Sequence, residues 1–236
     1  EQLVERCNEL AYDMNFTAVR DWKSRHPGAK AVGHMPIYVP REIVHACGML
    51  PVGVLGGGDK LDIIRGDAYF QSYICHIPRS TIELGVSGRL DALDGMLFPS
   101  ICDVIRNLSG MWKLLFPEKY SKYFDVPQNF SSPVGGEYYK RELATLLSEL
   151  SDLGGVKIST RELNRSIRAY NQNRRFIAEI YRRRSAKPWE MPTEEVYLLI
   201  RAGNVLPGEE HNHWLDCYLN NVAGLNRREM DNSRVV

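Results

Sequence analysis

No stretch of this 236-residue chain stays apolar for the roughly 18 residues that a membrane-spanning helix needs. No charged-then-apolar signal segment opens it. Charge of one sign is not in excess either. The 30 Lys and Arg residues face 29 Asp and Glu, for a net charge of +1. That balance gives no electrostatic case for nucleic acid or for an anionic membrane. The run Arg182-Arg183-Arg184 ends an expected helix, where cations complement the helix dipole. Cysteine is sparse: five residues, odd in number and irregular in spacing. A disulfide framework does not suit that count, and a reducing cytoplasm does. No C-x-x-C pair occurs, so zinc-ribbon and thioredoxin readings fail, and there is no compact ferredoxin run. Gly56-Gly57-Gly58-Asp59-Lys60 satisfies neither phosphate-loop template and reads as a strand-to-helix turn.

The composition that remains is that of a globular protein, 44% hydrophobic and 25% charged, enough for one large domain or two small ones. The chain opens at Glu1 and stops on the polar run Asp231-Asn232-Ser233-Arg234, which reads as a piece of a longer protein. Residues 3–15 carry Leu3, Val4, Cys7, Leu10, Ala11 and Met14 at helical spacing, so Cys7 is expected in a core.

From Lys30 the pattern alternates. Ala31 to Pro36, Pro51 to Leu55, Leu93 to Phe98 and Tyr123 to Val126 read as strands. Pro40 to Cys47, a stretch from Tyr69 to Leu84, and Asp103 to Phe116 read as helices. Strands alternating with helices predict a parallel sheet with helices on its faces, a flavodoxin-like α/β layer. After the turn-rich segment Gln128 to Gly136 the chain becomes helical: Glu142 to Leu150, a long helix opened by the capping box Ser159-Thr160-Arg161-Glu162 and stopped by Pro188, then Glu194 to Ala202 and Glu209 to Val222. The expected organisation is an N-terminal helical segment (1–29), an α/β domain (30–132) and a helical segment (133–236).

Two thiols stand out. Cys75 and Cys102 each sit where a strand reading gives way to a helix reading, and ligands of open α/β folds bind at that crevice. His76, Arg79 and Ser80 follow Cys75, and Asp103, Arg106 and Asn107 follow Cys102. Cations and helix N-termini favour thiolate, the form that binds metal. Core or unremarkable thiols remain the alternative on spacing alone. Cys47 and Cys217 fall within helical patterns and are expected in the core. His211-Asn212-His213 points its two imidazoles to different sides of a helix and reads as a surface helix start.

Nearly the whole chain resembles the radical reductases and dehydratases that act on aromatic- or 2-hydroxyacyl-CoA thioesters, and within them the ATP-dependent benzoyl-CoA reductases. The resemblance rests on Met35-Pro36-Ile37-Tyr38-Val39-Pro40-Arg41-Glu42-Ile43, on Ala46 to Gly53, on Gly66 to Cys75, on Gly95 to Asp103 and on Asp125-Val126-Pro127-Gln128-Asn129. It implies a [4Fe-4S] cluster held by three cysteines of an active-site subunit, with Cys75 and Cys102 as the first two. The third is expected beyond Val236, in a second α/β domain. It also implies a homologous active-site subunit, ATPase subunits that carry ATP and a second iron–sulfur cluster, ferredoxin as electron donor, and an aryl-CoA substrate. Glu42 is the first candidate for proton handling, ahead of His34, His45 and His76, with a plain helix-start acid as its alternative. A 2-hydroxyacyl-CoA dehydratase subunit and a non-catalytic partner subunit are the other readings.

Overall fold

The computed structural model describes residues 1–222, 224, 225 and 227–229. Four parallel strands form one sheet: β1 (Ala31–His34), β2 (Leu50–Gly53), β3 (Gly95–Pro99) and β4 (Tyr120–Phe124), in the order β2-β1-β3-β4. Pairing is in register from Ala31 against Leu50, Val32 against Gly95, and Gly95 against Tyr120. Every residue of β1, β2 and β3 is buried, as expected of parallel strands covered on both faces. The edge strand β4 is half-buried until Phe124. This is the flavodoxin-like order expected from the alternation.

Side chains alternate across the sheet and recruit different helices. Val32 and Leu97 pack with Ile43 and Val44 of α3 (Arg41–Ala46) and with Leu146 and Leu150 of α6 (Glu137–Gly154). Met35, Met96 and Phe98 face the other way, onto Ile82 and Leu84 of α4 (His76–Val86) and Leu108 and Trp112 of α5 (Asp103–Leu115). Gly85 lets those two helices touch. A Cβ there would lie 2.9 Å from the rings of Trp112 and Phe116. On this same side lies α2 (Thr17–Arg25), which buries Val19 and Trp22.

A second apolar cluster joins α1 (Gln2–Ala11) to α7 (Thr160–Ala186), α8 (Thr193–Ala202) and α9 (Gly208–Val222). Cys7 is buried there, and desolvation pushes its thiol up to about 11. Burial likewise raises Cys47, so both core thiols stay protonated. The capping box forms as expected: Ser159 Oγ accepts from the Glu162 N–H at 3.2 Å, and Glu162 Oε2 accepts from the Ser159 N–H at 2.7 Å. Ser159→Ala is expected to lower stability by about 1 kcal/mol, read as a shift in the urea midpoint at constant slope.

Several expectations need correction. The first helix ends at Ala11, and α2 follows it as a separate helix after Phe16 adopts a left-handed conformation. Residues 69–75 are turns rather than helix. Pro78 cannot donate to the carbonyl of residue 74 and its ring clashes there, so α4 begins only at His76. β4 starts three residues earlier than expected, and Ser132–Gly136 winds into a π-turn that runs into α6. His211 is buried, 3% exposed, and Cys217 is half-buried on the surface beside His213, the reverse of the sequence reading for both.

Candidate functional site

Strand order reverses between β1 and β3, so the crevice of this sheet lies at their carboxyl ends. α5 starts where β3 stops, with Cys102 as its N-cap. α4 runs back to the start of β3, so its N-cap, Cys75, lies at the same edge. Both thiols are exposed and free, and neither makes a cap hydrogen bond. Ser, Thr, Asp or Asn at an N-cap adds about 1 kcal/mol through that bond. Two helices forgo it and present sulfur at their N-termini instead.

Around the thiols, each of the four strands leads into a loop with exposed apolar side chains. Ile37 and Tyr38 follow β1, Tyr73 (81% exposed) follows β2, Ile101 follows β3 and Phe130 (86% exposed) follows β4. Ile37 and Tyr38 have φ of 68° and 60°. A β-branched residue in the left-handed region is strained, and such strain collects at functional edges. Arg106 stacks over Tyr123 with its guanidinium carbon 5.5 Å from the ring centre, and Tyr138 Oη donates to Asp125 at 3.0 Å. Two larger cavities, of about 980 and 480 Å³, lie away from this edge. One sits between the start of α1 and the end of α9, the other against His45 and Arg165. The thiols stand exposed on an edge whose loops carry exposed apolar side chains.

Glu42, at the start of α3, is 17% exposed at its side chain and paired with Arg174 of α7 at 2.7 Å, while its carbonyl accepts from Ser166 Oγ at 2.7 Å. His45 extends that clasp. It bonds Ser166 Oγ through Nδ1 at 2.9 Å and Glu209 of α9 through Nε2 at 3.0 Å. His34 is different. It is 6% exposed at the carboxyl end of β1, donates from Nδ1 to the Met35 carbonyl at 3.0 Å, and leaves Nε2 without a partner. Burial, with the nearby Arg41 charge, pushes it down to about 4, so the ring is neutral. His76 is exposed beside Cys75. The structure thus separates the four proton-handling candidates: Glu42 and His45 face the helical layer, His34 is sealed under the sheet edge, and only His76 adjoins a thiol. Sequence reading missed how the α4 side chains Arg79, Ser80 and Glu83 tie down the loop before Cys75. The four-residue spacing of Arg79 and Glu83 points to a pair with each other, whereas each turns to the loop instead.

Residues 36–236 match the family described as 2-hydroxyglutaryl-CoA dehydratase, D-component. The chain belongs to that family. It is 56% identical over 234 residues to a benzoyl-CoA reductase subunit from Thauera aromatica, covering 99% of this chain and 61% of that protein. It is 28% identical over 210 residues to the (R)-phenyllactyl-CoA dehydratase beta subunit of Clostridium sporogenes, covering 89% of this chain and 55% of the relative. It is 30% identical over 211 residues to the beta subunit of lactoyl-CoA dehydratase from Anaerotignum propionicum, covering 89% and 55%. The chain thus spans little more than half to three-fifths the length of these relatives.

For an iron–sulfur cluster, the donors fit in kind and in place: two exposed thiols at two helix N-termini on one edge. They fall short in number. Among the described residues no three His, Cys, Asp or Glu side chains converge, and Fe–S clusters take more than two protein ligands. Cys217, on the helical layer, does not make up the count.

Proposed function

We propose that this chain is the cluster-binding part of an iron–sulfur active-site subunit of an ATP-dependent benzoyl-CoA reductase, working in a reducing cytoplasm. The observation that carries this is the pair of uncapped, exposed thiols at the carboxyl edge, in a chain 56% identical to a benzoyl-CoA reductase subunit. Residues 30–132 form the cluster-binding domain. Residues 133–236 lead toward a second α/β domain that supplies the missing ligand, consistent with the part of the relatives this chain does not cover. Cys75 and Cys102 are two of three ligands to a [4Fe-4S] cluster. When bound, that group supplies a one-electron carrier of low potential.

The chain's own residues then have defined work. Ile37, Tyr38, Tyr73, Ile101 and Phe130 offer apolar faces at this edge to an aryl ring. The N-termini of α4 and α5 present the two sulfurs to the group they would hold. Glu42 stays the first candidate to hold a proton, with its carboxylate oriented by Arg174. The complex consists of a homologous active-site subunit with ATPase subunits that carry ATP and their own cluster, fed by ferredoxin, and it reduces the ring of benzoyl-CoA to a cyclic diene thioester.

The test is benzoyl-CoA-dependent oxidation of a reductant by the full-length protein assembled with its ATPase partners. Reductant consumed in step with benzoyl-CoA supports the proposal. Redox-neutral turnover of a 2-hydroxyacyl-CoA would assign the dehydratase reading instead. Within that assay, Glu42→Gln is expected to slow turnover by about 100-fold, the range of a lost general acid or base. Unchanged turnover would remove Glu42 from proton handling and leave it the helix-start acid that clasps α7.

A further inference from the structure

The loop that delivers Cys75 is held by the helix that follows it. Residues 54–75 connect β2 to α4 with only two short turns of 3-10 helix, Gly58–Lys60 and Gly66–Ala68. Three side chains of α4 reach back to it. Ser80 Oγ accepts from the Gly57 N–H at 3.0 Å and donates to the His76 carbonyl at 2.8 Å. Arg79 donates from Nε to Asp67 at 3.1 Å and from Nη1 to the Ser72 carbonyl at 3.1 Å. Glu83 Oε2 accepts three backbone N–H groups in a row, from Ile64 at 2.9 Å, Arg65 at 2.6 Å and Gly66 at 2.8 Å.

Glu83 is the anchor of the three. It is 6% exposed, and a buried carboxylate is costly unless it is fully hydrogen-bonded. Ordinary packing at this position calls for an apolar side chain. The carboxylate instead satisfies three consecutive amides that no strand or long helix serves. Gly66 shows how close the contact is. A Cβ at that position would lie 2.6 Å from the Arg79 carbonyl oxygen. Eight residues separate Gly66 from Cys75, and Arg79 pins two of them, Asp67 and Ser72.

We propose that Glu83 is a positioning residue for Cys75, fixing the segment 64–75 on α4 so that the thiol is presented at the N-cap before any cluster is bound. This rests on the reading of Cys75 as a cluster ligand. Pre-set ligands need their supporting contacts held by residues behind them, and outer contacts of this kind change metal affinity 10- to 100-fold.

The test uses the full-length protein with Glu83→Ala, Gly66→Ala and Glu83→Gln. The first readout is hydrogen–deuterium exchange, which needs no cluster. Orphaning these amides costs more than about 1 kcal/mol each, so exchange across 64–75 is expected to rise at least about tenfold in Glu83→Ala and Gly66→Ala. Glu83→Gln keeps an accepting oxygen and is expected to restore most of the protection. The segment 100–106 around Cys102 is expected to exchange as in the parent protein. The second readout is the rate of iron loss to a chelator, expected to rise at least about tenfold with the first two variants. Faster exchange confined to 64–66, with 70–75 unchanged, would overturn the positioning role, as would unchanged iron loss in a protein where Cys75→Ser does lose iron. If Cys75→Ser itself keeps its iron, the ligand reading fails, and the exchange across 70–75 still decides whether Glu83 sets the Cys75 segment.

Discussion

Replacing either Cys75 or Cys102 with serine is expected to lower ring reduction by the full-length protein more than about 100-fold and, with iron removed from both proteins, to leave its stability within about 1 kcal/mol of the parent. The first figure exceeds the 10- to 100-fold that loss of an outer contact to a metal site typically costs, because under the proposed function a ligand itself is removed. The second follows from surroundings. Both thiols are exposed and neither caps its helix, so nothing in the packing depends on sulfur. Serine can supply the missing cap bond, so the variants should unfold at the same or slightly higher denaturant concentration. Turnover of the loaded proteins and the urea midpoint of the iron-free proteins together separate a ligand from a structural thiol. Cys7→Ser gives the opposite pattern: it buries a hydroxyl in the α1–α8–α9 cluster and costs stability.

A second large effect concerns acid. Two buried histidines are held neutral in the folded chain and take up protons in acid when it unfolds. Burial, helped by Arg41 and opposed by the Met35 carbonyl, pushes His34 down to about 4. Burial also pushes His211 down to about 4, against its hydrogen bond to the Leu199 carbonyl. Asn173 Nδ2 donates to the other ring nitrogen at 2.8 Å, which fixes His211 as the tautomer protonated on Nε2.

Between their ordinary value of 6.5 and about 4, the unfolded chain binds these protons and the folded chain does not. Stability is therefore full above about pH 6.5 and falls as the pH drops toward 4. Each histidine contributes about 3 kcal/mol over that window as an upper limit. Asp94 acts in the same direction further down. Desolvation opposes, but hydrogen bonds from Lys23 and the Ala31 amide hold its carboxyl below the usual range, so its contribution disappears as pH falls through that lowered value. Urea unfolding at pH 7.0 and 4.5 should show a loss of several kcal/mol, and His211→Gln should flatten the dependence. A midpoint that does not move between those pH values would contradict the account.

The sheet and its order were legible because their signals are local. Short apolar runs followed by Pro- or Asp-started helices fix β1 to β3 and α3 and α5 without reference to anything distant. α2 escaped notice because only Val19 and Trp22 of its nine residues are buried, and its N-cap is a left-handed Phe16 rather than a polar residue. The segment 69–75 misled because Tyr69, Phe70, Tyr73 and Ile74 have helical spacing, while the stop signal, Pro78, lies inside the first turn of the true helix. His211 and Cys217 were exchanged between core and surface for a different reason. His211 is buried because the start of α9 packs on Gly203, where a Cβ would strike the imidazole ring. That contact joins two helices and leaves no trace in local periodicity.

At the site, Cys102 was legible from its place between a strand and a helix, whereas Cys75 ends the long connection from β2 and fell inside the helix expected over 69–84; both are N-caps in the structure. The loop-pinning carboxylate of Glu83 was not legible, since its partners are backbone amides that carry no sequence signature.

The central claim is that Cys75 and Cys102 hold a cluster whose ligand set is completed outside this segment. The most direct measurement is iron and acid-labile sulfide in the anaerobically purified full-length protein, alongside its Cys75→Ser and Cys102→Ser variants. The account predicts about four iron and four sulfide in the parent and their loss from both variants. Iron and sulfide absent from the parent, or unchanged by either substitution, would contradict it.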